Sequence, residues 1–294
     1  MITVRLKGGL GNQLFQYATA KALAVKHRTS VAFELRFLLK RAANDQHTFR
    51  EYELDALGIS PVEPSLAEKI GFGLVDIPAK KLLQKIVREI IAGKVYQEKS
   101  FDYDPGIENQ TSANTYLNGH FPSERYFKSI ESLLRTELQF VGQPEASVVQ
   151  RIKNSCSVSL HIRRGDYLTN PSALQYHGLC SINYYEQAIA FISNKQPDIH
   201  IFVFSDDIAW ARKNLSFPFP TVYVDGNVGK SSYLDMQLMS LCRHHVIANS
   251  SFSWWGAWLN PSPDKIVVAP NRWFADATAQ SQAQDIIPDS WIQM

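Results

Sequence analysis

Cysteine is scarce: Cys156, Cys180 and Cys242 are the three in 294 residues, an odd number, far apart and without a CxxC pair. That excludes a disulfide-stapled module, and the thiols read as reduced and mostly buried, as in a cytoplasmic protein. Long hydrophobic runs are missing as well. No stretch approaches eighteen uninterrupted apolar residues, so no membrane span is expected. Met1-Ile-Thr-Val-Arg5 lacks the cationic stretch and apolar core of a secretory leader. Excess charge of one sign is absent too: 30 basic and 28 acidic side chains leave +2. That is too little for the whole-molecule attraction on which a broad nucleic-acid surface relies, so no nucleic-acid partner is expected.

What is there describes an ordinary globular chain, long enough at roughly 150 residues per domain for about two domains. A strand over Ile2 to Leu6, a turn at Gly8-Gly9-Leu10-Gly11, a helix from about Gln13 to His27 and a strand over Ser30 to Glu34 open an α/β unit with parallel strands. Lys40 to Glu53 reads as a loop over the strand ends. From Pro78 to Ala92 apolar residues recur at helical spacing beside Lys80, Lys81, Lys85 and Arg88. This basic amphipathic helix packs on the first domain or, alternatively, faces another protein or meets an anionic membrane surface peripherally. Helical patterns at Tyr126 to Leu138 and near Pro144 to Lys153 follow, and the domain change is placed near residue 150. Beyond it come strands at 157–162, 200–205, 221–224, 245–248 and 265–269. Helices are expected between them at about 182–193, 207–214, 231–242 and 252–259. The prediction is two Rossmann-like domains, 1–150 and 151–294, facing each other across a cleft, the last residues packing back on the first. Ligands of such sheets sit beyond the carboxyl ends of the strands.

Four strand ends carry chemistry. Gly8-Gly9-Leu-Gly11-Asn12 lets backbone N–H groups approach an anion, but Leu14 stands where a dinucleotide fingerprint needs its third glycine. A dinucleotide oxidoreductase, a substrate turn and a plain tight turn all stay open there. Gly226-Asn-Val-Gly229-Lys-Ser231 misses a P-loop, since Val224 occupies its first glycine position. His161-Ile-Arg163-Arg164-Gly-Asp166-Tyr167 ends an apolar strand with two guanidinium groups suited to a diphosphate; a loop-to-strand Arg–Asp network is the plainer reading. His161 is a base candidate in a strand that favours a structural role. Ser205-Asp206-Asp207 can contact a ligand or cap the following helix. Asn249-Ser250-Ser251-Phe252-Ser253-Trp254-Trp255 places polar donors at a helix start, an anion site, with the two tryptophans either core or bordering a sugar. Together these ends point to a nucleotide diphosphate.

These segments, with Gly8-Gly-Leu-Gly-Asn-Gln-Leu-Phe-Gln-Tyr17 at the start and Ala257 at the far end, resemble the alpha-1,2-fucosyltransferases of glycosyltransferase family eleven in order and over nearly the whole chain. The resemblance implies a GT-B fold and a GDP-fucose donor held by the second domain. It also implies transfer with inversion to O2 of a terminal beta-galactoside, with no obligatory metal or other cofactor. By position, Arg163 engages the diphosphate, and Asp207, with Asp206 as the near alternative, meets guanine. His161, Asn249, Ser250, Ser251 and Phe252 complete the donor side, Asn12 lies near the transferring centre, and Asp166 is the candidate base. Tyr116 and His120, in the aromatic segment 99–125, are the candidate acceptor contacts, together with the loop 36–50.

Overall fold

The computed structural model describes residues 1–39, 50–75, 93–165, 168 and 170–294. The expected helix at 78–92, together with Asp166 and Tyr167, lies outside the described residues. The chain is α/β and divides into two compact units, Met1–Leu138 and Gln139–Met294.

In the first unit β1 (Ile2–Arg5) is an inner strand, with β2 (Val31–Glu34) on one side and β4 (Thr115–Asn118) on the other. β3 (Lys94–Gln97) lies outside β4, giving the order β2-β1-β4-β3 with every pairing parallel. Helix α1 (Leu10–Lys26) is rich in alanine and leucine, and it buries thirteen of its seventeen residues. It stops where Arg28 enters the left-handed region at φ 52°. The single helix expected over Tyr126 to Leu138 is instead two 3-10 turns, Glu124–Tyr126 and Lys128–Ile130, and then α2 (Glu131–Glu137).

The second unit begins with α3 (Ala146–Lys153), and its sheet holds β5 (Cys156–Ile162), β6 (Ile199–Ser205), β7 (Thr221–Tyr223), β8 (His244–Val246), β9 (Val267–Ala269) and β10 (Ile292–Gln293). Helices α4 (Pro171–His177), α5 (Ile182–Lys195), α6 (Ile208–Asn214), α7 (Tyr233–Leu241) and α8 (Ser251–Leu259) connect them. All pairings are parallel, so helices must cover both faces of the sheet. The alternation of side chains shows how. Val158, Leu160, Ile162, Ile201 and Val203 pack with Tyr185, Ile189 and Ile192 of α5, while Phe202 and Phe204 turn the other way to Ile152, Leu238 and Met239.

Read from β7, the order is β7-β6-β5-β8-β9-β10. The chain runs outward from β5 through β6 to β7, then returns to β5's other side and runs outward again. This is the doubly wound order, whose switch point lies between β5 and β8. The first sheet is wound differently: from β1 the chain goes outward to β2, re-enters at the opposite edge as β3 and comes inward to β4 beside β1. The last residues form β10 beside β9, within the second sheet.

Candidate active site

The switch point of the second sheet is framed by the end of β5, which leads into Arg163 and Arg164, and the end of β8, which leads through Asn249 and Ser250 into α8. On β5 the side chains opposite the apolar face are Ser157, Ser159 and His161, a polar stripe on a buried strand. Two of them are satisfied: Ser157 Oγ accepts the N–H of Arg243 at 3.1 Å, and Ser159 Oγ lies 2.8 Å from His245 Nδ1. His161, the last, has a buried Nδ1 with no hydrogen-bond partner. Burial, with Arg163 adding repulsion, pushes its pKa down to about 3, so the imidazole is neutral at ordinary pH and a poor proton acceptor. Its ring lies 5.8 Å from that of Phe252. That contact joins the His161–Arg164 segment to the first turn of α8.

Both arginines meet carboxylates from the end of β6. Arg163 Nη1 is 3.1 Å from Asp206 Oδ2, and Arg164 Nε is 3.6 Å from Asp207 Oδ2. Asp206 Oδ1 accepts the main-chain N–H of Arg164 at 2.9 Å. Asp207 caps α6, its Oδ1 accepting the N–H of Trp210 at 3.1 Å, and Arg164 stacks on Trp210 with Cζ 3.7 Å from the ring centre. A Cβ at Gly165 would stand 2.9 Å from Asp206 Oδ2, so a side chain there would press on this carboxylate. The loop-to-strand network and the guanidinium cluster are thus one structure.

At β8, Ser250 caps α8, its Oγ accepting the N–H of Phe252 at 3.3 Å. Asn249 is buried, and its amide donates to the carbonyls of His177 at 2.9 Å and Trp273 at 3.1 Å, tying β8's end to the last residue of α4 and to the chain after β9. Trp254 and Trp255 are both fully buried, with Trp254 Nε1 donating to the Ile286 carbonyl at 2.8 Å. They are core, and truncation of either would cost about 3–5 kcal/mol of stability.

One polar group at this side of the sheet escapes a motif reading because it sits inside a helical apolar pattern. Asp235, in the first turn of α7, accepts from Asn227 Nδ2 at 2.7 Å. Burial, reinforced by Asp225 and opposed by Asn227, pushes its pKa up to about 7. The Gly226 to Ser231 segment is a loop ending in a 3-10 turn, Gly229–Ser231.

The glycine turn of the first unit behaves differently. The N–H of Leu10, at the start of α1, donates to Glu53 Oε2 at 3.1 Å, and Gln13 Nε2 donates to the carbonyls of Gly8 and Glu51. Gly8 has φ 77°, and a Cβ there would collide with Asn12 Nδ2 at 2.3 Å. The helix end that a dinucleotide pyrophosphate needs therefore holds the chain's own carboxylate. Tyr116 is buried in mid-strand with its hydroxyl donating to Glu34 Oε2 at 3.2 Å, whereas His120 is half-exposed just past β4. Among the described residues no group of three or more His, Cys, Asp or Glu side chains is placed to hold a metal ion, and no helix is long and apolar enough to cross a membrane.

Against known proteins, the model of glycosyl transferase family 11 matches residues 76–294. The chain belongs to that family. It is a glycosyltransferase, and its two parallel-sheet units agree with a GT-B architecture. Among its relatives, the O-antigen biosynthesis glycosyltransferase WbnK of Escherichia coli is 33% identical over 98% of this chain and 99% of its own length. An alpha-1,2-colitosyltransferase of Escherichia coli is also 33% identical, over 100% of this chain and 99% of its own. A galactoside 2-alpha-L-fucosyltransferase of Caenorhabditis elegans is 23% identical over 99% of this chain and 78% of its own.

Proposed function

We propose that this family 11 transferase moves L-fucose from GDP-fucose to O2 of a terminal beta-galactoside, giving an alpha-1,2 linkage, with no divalent metal required. The observation that carries the reading is the contact between His161 and Phe252, which brings the arginine-bearing end of β5 and the serine-capped start of α8 to one switch point. A helix start and guanidinium groups are the donors a diphosphate needs.

The acceptor oxygen attacks the anomeric carbon on the face opposite the beta-linked GDP. The carbon–oxygen bond to phosphate breaks, GDP leaves with the electron pair, and the acceptor hydroxyl gives up its proton. Arg163, Ser250, Ser251 and the N–H groups of α8 bear the negative charge that grows on GDP, Asn12 orients the reacting hydroxyl, and Asp166 takes the proton. His161 stays neutral, and its orphaned Nδ1 meets a polar group of the donor. For the base we move the contact from Asp207 to Asp235. Asp207 is engaged in capping α6 and facing Arg164, and Asp206 faces Arg163, while Asp235 lies at the carboxyl side of the same sheet and ionises near neutrality.

Colitose, the 3-deoxy counterpart of fucose, is a second donor reading, favoured by the 33% identical colitosyltransferase. The test is transfer from GDP-fucose and GDP-colitose to a panel of beta-galactosides in EDTA, with product linkage assigned by NMR. Alpha-1,2-fucosyl product in EDTA is the expected result. Turnover with GDP-colitose alone would replace the donor, and a different linkage or a requirement for metal would reject the corresponding part.

A further inference from the structure

The neighbouring ends of β1 and β4 in the first sheet carry a group of polar residues around His120. Beyond β1 stands Lys7; at and beyond the end of β4 come Asn118, Gly119 and His120; just past β3 is Glu98. Lys7 Nζ lies 3.5 Å from Asn118 Oδ1, and Asn118 Nδ2 donates to Gln97 Oε1 at 2.6 Å. Glu98 grips the turn after β4 with both oxygens: Oε2 accepts the N–H of His120 and Oε1 the N–H of Phe121, each at 2.6 Å. The turn it grips is a strained one. Phe121 sits at φ 54°, a left-handed conformation unusual for a bulky residue, and its ring is fully buried against Tyr96 and Tyr126. Gly119 is closely covered, since a Cβ there would meet Glu98 Cβ at 2.5 Å and Phe121 Cζ at 2.6 Å. Strain of this kind persists only where the surroundings over-determine it.

We infer that Glu98 is a positioning residue for the acceptor sugar: by clamping the 119–121 turn it fixes His120 past the end of β4, next to the end of β1 that leads to Lys7, where hydroxyls of a terminal hexose are recognised. This deepens the transfer reading and rests on it. The strand ends offer groups that sugar hydroxyls and sugar faces bind: the ammonium of Lys7, 3.5 Å from Asn118 Oδ1, and past β4 the imidazole of His120, whose ring lies 6.0 Å from that of Phe101. A nucleotide phosphate does not suit them, because Glu53 closes the adjacent helix start. Glu98 itself is not a free acid, with both oxygens engaged, Lys7 nearby and burial pushing its carboxyl above the usual range. Its influence on the sugar therefore passes through the turn.

The test uses the full chain and two readouts: binding of methyl beta-D-galactopyranoside by saturation-transfer NMR, and acceptor KM against donor KM and kcat. Glu98→Gln keeps the side chain's shape but turns an amide N–H₂ toward a main-chain N–H. It and His120→Ala should each raise the galactoside Kd and the acceptor KM at least tenfold, with GDP affinity within twofold of wild type. The double variant should be no worse than about twofold beyond the poorer single one, since both act through the same imidazole. Additive losses, an acceptor KM within twofold of wild type in either single variant, or an equal loss of GDP affinity would overturn the inference. If Glu98→Gln does not fold, Glu98→Asp, shorter by one methylene, is read by the same cycle. Wild-type chain that transfers fucose while His120→Ala is unchanged rejects only this inference. Wild-type chain that neither binds galactoside nor consumes GDP-fucose rejects the transfer reading together with it.

Discussion

Two helices of this protein begin after an inner strand and a glycine- or serine-bearing turn, and they differ in what meets their first N–H groups. At α1 the chain folds Glu53 back onto the N–H of Leu10, so the positive end of a seventeen-residue helix is met by a carboxylate from 43 residues away. At α8 the cap is the neutral hydroxyl of Ser250, and Phe252 touches His161 two residues before Arg163. A helix start capped by a hydroxyl keeps N–H groups that can meet a foreign anion; a helix start that holds its own carboxylate is closed to one. The glycine turn is the more suggestive motif by eye, yet its helix start is the one met by a carboxylate of the chain, and that carboxylate lies outside both motifs.

The strongest way to break that comparison is Arg163→Ala. If the α8 end holds the diphosphate, transfer should fall about 100–1,000-fold, or 2.7–4 kcal/mol in the transition state, as for loss of a charge-directed donor. Circular dichroism and a thermal melt establish that the variant folds. Activity within threefold of wild type would remove Arg163 from the donor site.

A smaller effect is expected from Asp235. Its carboxyl ionises near pH 7, and guanine N–H donors are met by the ionised form. GDP affinity should then rise between pH 6 and 8, by up to about tenfold per unit below the pKa. Asp235→Asn should weaken binding at pH 8 and flatten the difference. The GDP phosphates titrate in both proteins, so titration calorimetry of wild type and variant side by side isolates the carboxyl. A variant with the wild-type profile would return the base contact to Asp207.

Much of the fold is written in local pattern. The runs Ser157 to Ile162 and 200–205 are apolar enough on one face to be read as strands, and they lie within β5 and β6. Helices from Ile182 and Ser251 follow from caps and spacing. Less was legible at the edges: β3 exposes three of its four residues, and its Lys and Gln carry no core signal. Helix α4 had a readable start, an Asn170 cap bonded to the N–H groups of Ser172 and Ala173 with Pro171 after it, but its short length hid it. The site was legible in its residue types and not in its pairings. Arg163 with Asp206 spans 43 positions and Glu98 with His120 spans 22, and no local rule assigns such partners. Asn249 looks like a donor ligand in sequence because its motif is polar; the structure spends its amide on main-chain carbonyls.

Glu53→Ala sharpens the comparison from the other side. Removing this cap should cost about 0.5–2 kcal/mol, seen as a lower Tm, since the N–H of Leu10 loses its partner and the helix end its counter-charge. GDP affinity should stay within twofold. If the variant instead bound GDP appreciably tighter, α1 would be a phosphate site that Glu53 merely masks, and the two helix starts would no longer differ in kind.

The mildest expectation concerns Tyr116, and it separates the core of the first sheet from its edge. The hydroxyl meets Glu34, which is also held by Arg5 and Arg36 at 2.8 Å each. Glu34 therefore keeps strong partners when that hydroxyl is removed, and Arg5 and Arg36 hold its carboxyl below the usual range despite burial. Tyr116→Phe should cost only about 0.5–1.5 kcal/mol of stability. Because the ring is mid-strand and buried, acceptor KM should stay within twofold, in contrast to His120→Ala. A large rise in acceptor KM for Tyr116→Phe would mean that the sugar's site extends inward along β4 from the turn that Glu98 holds.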